Sequence, residues 1–126
     1  MNIADLRIEE RDGVVIARIV GEVDLSNADE LRKALARSMT NEAFGLVIDL
    51  SDVEYLDSAG VHVVFELRER LRNRGQELRL VVPPGAPAAG TLEIAGVPAA
   101  VSVADAVDAA VEEVGRLGQE GPGKGS

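Results

Sequence analysis

Cysteine is missing from all 126 residues, so neither a disulfide framework nor a thiolate metal site is available to the chain. Histidine occurs once, which removes a histidine-based zinc site as well. Aromatic residues make up 2% of the sequence and tryptophan is absent, leaving no platforms on which bases or sugars could stack. A formal charge of -9 would repel a phosphate backbone, so direct nucleic-acid binding is not expected. No apolar run approaches the roughly 20 residues needed to cross a bilayer. The start, MNIADLRIEERD, has neither the basic opening nor the apolar stretch of a signal peptide, and the cytoplasm is the expected address, with no membrane partner.

What is present is aliphatic. Apolar residues reach 46%, enough to bury one core in a chain of this length from Val, Leu, Ile and Ala. Leu6 to Ile8 and Val14 to Val20 flank Arg11-Asp12-Gly13, whose Asp-Gly pair suits a hairpin turn between antiparallel strands. Gly21 is expected to end the second strand. Ser26 or Asn27 then caps a helix with the stripe Ala28, Leu31, Leu35 and Met39, and Asp29 and Glu30 suit its positive first turn. Leu46 to Leu50 reads as a central strand, followed by a loop from Ser51 to Asp57. Val64, Leu67 and Leu71 mark the buried side of a second helix that Gly75 ends.

Leu78 to Val82 is a further strand, stopped by Pro83-Pro84. Thr91 to Ile94 suggests a short helix, and a brief strand is expected near Ala100 to Val103. Val107, Ala110, Val111 and Val114 define a last amphipathic helix closed by Gly115 or Gly118. The expected architecture is therefore α/β: a mixed four- to five-stranded sheet flanked by helices, in a single domain over residues 1–117, with a disordered glycine-rich tail over 118–126. The segments Gly21 to Ser26 and Ser51 to Ser58 both follow strands and are expected on the same sheet edge.

The stretch YLDSAGVH, from Tyr55 to His62, gathers an acid, a hydroxyl, a glycine read as a tight-turn residue, and the sole histidine. A hydrolase triad of Asp57, Ser58 and His62 is disfavoured, because the acid neighbours the serine instead of bracing the far side of the imidazole. The Gly-x-Ser-x-Gly elbow is also missing. Locally, Ser58 reads as a helix N-cap and His62 as an exposed helix residue. A phosphate on Ser58 would meet the donors of a helix start, with Asp57 opposing it. The glycine spacing of Gly85 to Gly90 imitates a phosphate loop, but Thr91 and Leu92 stand where a Lys-Ser/Thr pair is needed. Metal binding by Asp24 and Asp57 offers a thin ligand set, and no cofactor is expected.

The string VIDLSDVEYLDSAGVHVV, with GEVDLSNADEL before it and LEIAGV after it, resembles STAS domains of the anti-sigma-factor antagonist family. The similarity covers roughly residues 5 to 115. The resemblance implies a mixed sheet with flanking helices, and a binding protein without enzymatic activity. It further implies that the unmodified chain binds an anti-sigma factor serine kinase and so releases a sigma factor. The kinase then phosphorylates the serine after the motif's aspartate, Ser58 here, and a PP2C-like phosphatase resets the switch. Asp57 matches the motif's aspartate and Asp24 the acid of the preceding loop. Ala59 stands where many members have a second serine, and His62 replaces a small or apolar residue; with Asp24 and Asp57 they form the expected partner-binding set. The resemblance leaves open a second role, as a STAS subunit of a lipid transporter or of a stress-signalling assembly.

Overall fold

The computed structural model describes residues 4–120. The sheet has five strands in the order β1-β2-β3-β4-β5, formed by Asp5–Arg11, Val14–Val23, Gly45–Leu56, Glu77–Val81 and Ser102–Ala104. β1 runs antiparallel to β2, and the other neighbours are parallel. At the hairpin, Asp12 (φ 55°) and Gly13 (φ 82°) both take positive φ, as the Asp-Gly pair requires. Each parallel step needs a crossover, which α1 (Ala28–Arg37), α2 (Ser58–Asn73) and the pair α3 (Ala89–Ile94) and α4 (Val97–Ala100) supply. The last helix, α5 (Val107–Glu120), covers the opposite face.

Alternation along the strands divides the interior in two. On one face Val15, Ala17, Ile19, Leu46, Ile48, Leu50, Leu78 and Leu80 meet Leu31 and Leu35 of α1 and Val64, Leu67 and Leu71 of α2. Leu92 of α3 and Val97 of α4 extend that cluster. On the other face Val14, Ile16, Val47 and Val81 meet Ala110, Val111 and Val114 of α5. Arg79 lies buried beside this smaller core, its Nε donating to Glu113 Oε1 at 2.7 Å.

Three expectations change. The loop proposed for Ser51 to Asp57 is strand: β3 continues to Leu56, and β2 passes Gly21 to pair Val23 with Leu56. Register shifts between Arg18 and Val20 and between Gly21 and Glu22 let Val53 and Leu56 turn inward while Asp52, Glu54 and Tyr55 stay exposed. Secondly, α1 ends at Arg37, so Met39 lies beyond it, half-buried against the core. Thirdly, α5 does not stop at Gly115 or Gly118. A Cβ at Gly118 would sit 2.7 Å from Phe44 Cβ, so this glycine permits close packing and is not a terminator. The tail expected over 118–126 thus begins within a helix, and from residue 121 it lies outside the described residues.

Candidate functional site

Two strand-to-helix junctions lie side by side at the carboxyl ends of β2 and β3. The Asp57 N-H donates to the carbonyl of Val23 at 3.2 Å, tying the start of α2 to the end of β2. The segments expected on one edge therefore share a hydrogen bond.

In the first junction the carboxylate of Asp24 folds over its own turn. Oδ1 accepts from the Ser26 hydroxyl at 2.6 Å and from the Ser26 N-H at 2.9 Å. These bonds, the hydroxyl's first, hold the Asp24 carboxyl below the usual carboxylate range. Asn27 occupies the cap position of α1 without a side-chain cap bond. It braces the loop backwards instead: Oδ1 accepts from the Asp24 N-H at 3.0 Å, and Nδ2 donates to the Glu22 carbonyl at 2.8 Å. The sequence offered Ser26 or Asn27 as the cap; Asn27 has the position, and Ser26 serves Asp24.

The second junction is built the other way round. Asp57 is extended (φ -105°, ψ -171°), and its Oδ1 accepts from the N-H groups of Ala59 at 2.9 Å and Gly60 at 3.3 Å. The cap expected of Ser58 is therefore supplied by Asp57, because the carboxylate reaches both donors from a non-helical backbone. Ser58 becomes the first helical residue and is exposed. Gly60 is not a turn glycine but a buried helical residue. A Cβ there would lie 2.3 Å from Leu56 Cδ1 and 3.0 Å from Val23 Cγ1, so the absence of a side chain lets α2 seat against both strand ends.

Between α1 and α2 runs an open depression of about 590 Å³ that includes Leu25, Asp29, Arg32, Ser58, Ala59 and His62 in its lining. Asp57 and Glu66 border it too, whereas Asp24 does not. The structure thus brings Ser58, Asp57, Ala59 and His62 together and leaves the Asp24 carboxylate engaged in its own turn. Leu25 was missed in the sequence: it is 83% exposed, and only an apolar residue inside GEVDLSN hinted at it. Arg32 was also missed, though it lies one turn beyond Ala28 on the stripe side of α1. It donates to Asp29 Oδ1 at 2.8 Å, and its Nε lies 3.6 Å from Glu66 Oε1. That hydrogen bond from Arg32 holds the Asp29 carboxyl low.

The His62 side chain is 72% exposed, with Nε2 3.5 Å from Glu66 Oε2. Ser58, His62 and Glu66 follow one another at successive turns, yet among the described residues no hydrogen bond joins His62 to Ser58. The nearest backbone donors, those of Ala59 and Gly60, already serve Asp57 and are not free to hold an oxyanion. The arrangement presents a hydroxyl on a surface and does not activate it.

Comparison with known proteins agrees with this geometry. The STAS domain family matches over residues 5–110. The anti-sigma-B factor antagonist of Listeria monocytogenes is 40% identical over 81 residues, covering 64% of this chain and 70% of that protein. The anti-sigma-F factor antagonist RsfB of Mycobacterium tuberculosis is 33% identical over 75 residues, covering 60% of this chain. The matched stretch spans 59% of the length of RsfB. Among solved structures, an anti-sigma factor antagonist from Mycobacterium paratuberculosis superposes with a TM-score of 0.79 at 26% identity, covering 88% of this chain and 93% of that one. The five-stranded sheet, the Asp57-capped helix and these matches make one case: the chain belongs to the STAS domain family, alongside the anti-sigma factor antagonists.

Proposed function

We propose that this chain is an anti-sigma factor antagonist that binds an anti-sigma factor serine kinase, frees a sigma factor, and is switched off when that kinase phosphorylates Ser58. The observation that carries the reading is the division of labour at α2: Asp57 makes the cap bonds, and Ser58 is exposed beside an open depression. A phosphate there takes nothing from the cap. It adds a charge of about -1.5 to -2 to a surface already holding Asp57, Asp29 and Glu66, and it obstructs the close approach of a partner helix. Leu25, Ala59 and His62 supply the contact surface, Leu25 by burying an exposed apolar side chain. The Asp24 carboxylate contributes by holding the loop that presents Leu25.

The protein acts by binding, in the cytoplasm, without catalysis or direct contact with nucleic acid, and a PP2C-like phosphatase restores the unmodified form. Loss of about 3 kcal/mol on phosphorylation corresponds to a roughly hundredfold weaker complex. Incubation with the cognate kinase and ATP should add one phosphate, read by intact mass. A Ser58→Ala protein that still accepts it sinks the assignment, and a Ser58→Asp protein that binds the kinase as tightly as the parent removes the charge mechanism. Recovery with the ATPase subunit of a transporter in place of a kinase would move the chain to the transporter role.

A further inference from the structure

The outer edge of β1 is an unpartnered strand edge of seven residues, against three in β5 at the other side of the sheet. Among the described residues nothing pairs with it, and every residue of β1 except the half-buried Leu6 is exposed. Such edges are ordinarily blunted by charge, and β1 is charged. Its charges are nevertheless ordered. Asp5, Arg7, Glu9 and Arg11 occupy one face and alternate in sign, while Leu6, Ile8 and Glu10 occupy the other. Reading outward from Ile8 along the charged face, each acid on one side has a base at the same distance on the other, while on the opposite face Glu10 is matched by Leu6.

We propose that β1 pairs antiparallel with β1 of a second copy of this chain, about a two-fold axis through Ile8, joining the two five-stranded sheets edge to edge. In that register Asp5 faces Arg11 and Arg7 faces Glu9, each twice by symmetry. Ile8, 45% exposed in one copy, faces its own counterpart, and Leu6 faces Glu10. An axis perpendicular to the sheet keeps like faces together, so the register can slide only by even steps. A slide of two residues sets Arg7 against Arg7 or Glu9 against Glu9. A slide of four restores opposite signs but pairs less than half of the strand. The Ile8-centred register alone combines full length with opposite-sign pairing all along the face that carries Asp5, Arg7, Glu9 and Arg11.

The side chains involved are free to change partners. Arg7 lies 3.7 Å from Asp5, and Arg11 lies 3.2 Å from Glu9, on the same exposed strand face. Turning from a neighbour two residues away to one across the new ladder exchanges one exposed ion pair for another. Arg11 keeps Asp108 at 2.8 Å. The ladder adds main-chain hydrogen bonds along the edge that the monomer leaves to water.

Sedimentation velocity on the full chain, from micromolar to millimolar concentration, should show a doubling of mass. Arg7→Glu should weaken the dimer at least tenfold, and the charge swap Arg7→Glu/Glu9→Arg should restore it, because both cross-strand pairs are again of opposite sign. An independent arm uses the lack of native cysteine. Under diamide, Ile8→Cys should cross-link at the axis at least tenfold faster than Glu10→Cys, whose thiol faces Leu6. A chain that stays monomeric at millimolar concentration overturns the proposal. A dimer indifferent to Arg7→Glu, a swap that does not recover association, or equal cross-linking of the two cysteine variants does so too.

Discussion

The two junctions that meet at Val23 and Asp57 solve one problem in opposite directions. Each must start a helix after a parallel strand, and each has an aspartate immediately after the strand's last residue. At α1 the aspartate's side chain stays in the loop, held by Ser26, and the neighbouring Asn27 reaches back towards β2. At α2 the aspartate reaches forward and caps. The first junction is a braced loop that displays Leu25; the second is a rigid step that displays Ser58. What differs is spacing. Three residues separate Asp24 from the first residue of α1, whereas none separates Asp57 from the first residue of α2.

Several substitutions break or sharpen this contrast. Gly60→Ala should cost most, about 1–3 kcal/mol from forcing a methyl against the buried Leu56 and Val23, partly offset by the better helix propensity of alanine. Thermal unfolding should register it as a clear fall in Tm. Asn27→Ala comes next, at about 2 kcal/mol, since the Glu22 carbonyl and the Asp24 N-H lose their bonds in a part-buried setting. Asp57→Ala should cost about 1 kcal/mol of cap, and Asp57→Asn only a few tenths, because an amide oxygen can still accept from Ala59 and Gly60. If denaturant titration ranks Asp57→Ala above Asn27→Ala, the braced loop is the weaker device and the contrast inverts.

The smallest effect concerns pH. The folded-state pKa of Asp24 is depressed by Ser26, so its contribution is fully present above the ordinary carboxylate value, near pH 4. That contribution is lost as pH falls through the lower folded value. Asp24→Asn should therefore lower stability slightly between pH 6 and 8 and flatten the acid limb below about pH 4, where parent and variant converge. A difference that persists undiminished as pH falls well below about 4 would place the role of Asp24 elsewhere.

Much of this was legible from pattern alone. The hairpin follows from Asp12-Gly13, the helix faces from aliphatic spacing, and the parallel order from alternating strands and helices. The eight-residue string from Tyr55 to His62 spans the end of β3 and the start of α2. Its inner arrangement was misread where two explanations fit one residue. Ser58 and Asp57 are both good caps, and only backbone geometry decides which lies outside the helix. Gly60 looks like a turn residue and Gly118 like a helix stop, yet each is small because another side chain occupies the space, Leu56 in one case and Phe44 in the other. The length of β3 was hidden because Ser51, Asp52 and Glu54 carry loop-like chemistry. They are polar because α5 does not cover that part of the sheet, and no local sequence window reports where a distant helix will lie.

The extended β3 has one more consequence. β4 accompanies it only as far as Asp49, opposite Val81, while β2 accompanies it to Leu56. Beyond Asp49 the strand belongs to a ribbon shared with β2, and the Ser58 platform rides at the end of that ribbon. Opening of α3, α4 and β5 therefore need not loosen it, and amide exchange around Ser58 should follow the slow protection of the β2–β3 ladder, independently of the faster exchange expected across Ala89–Ala104.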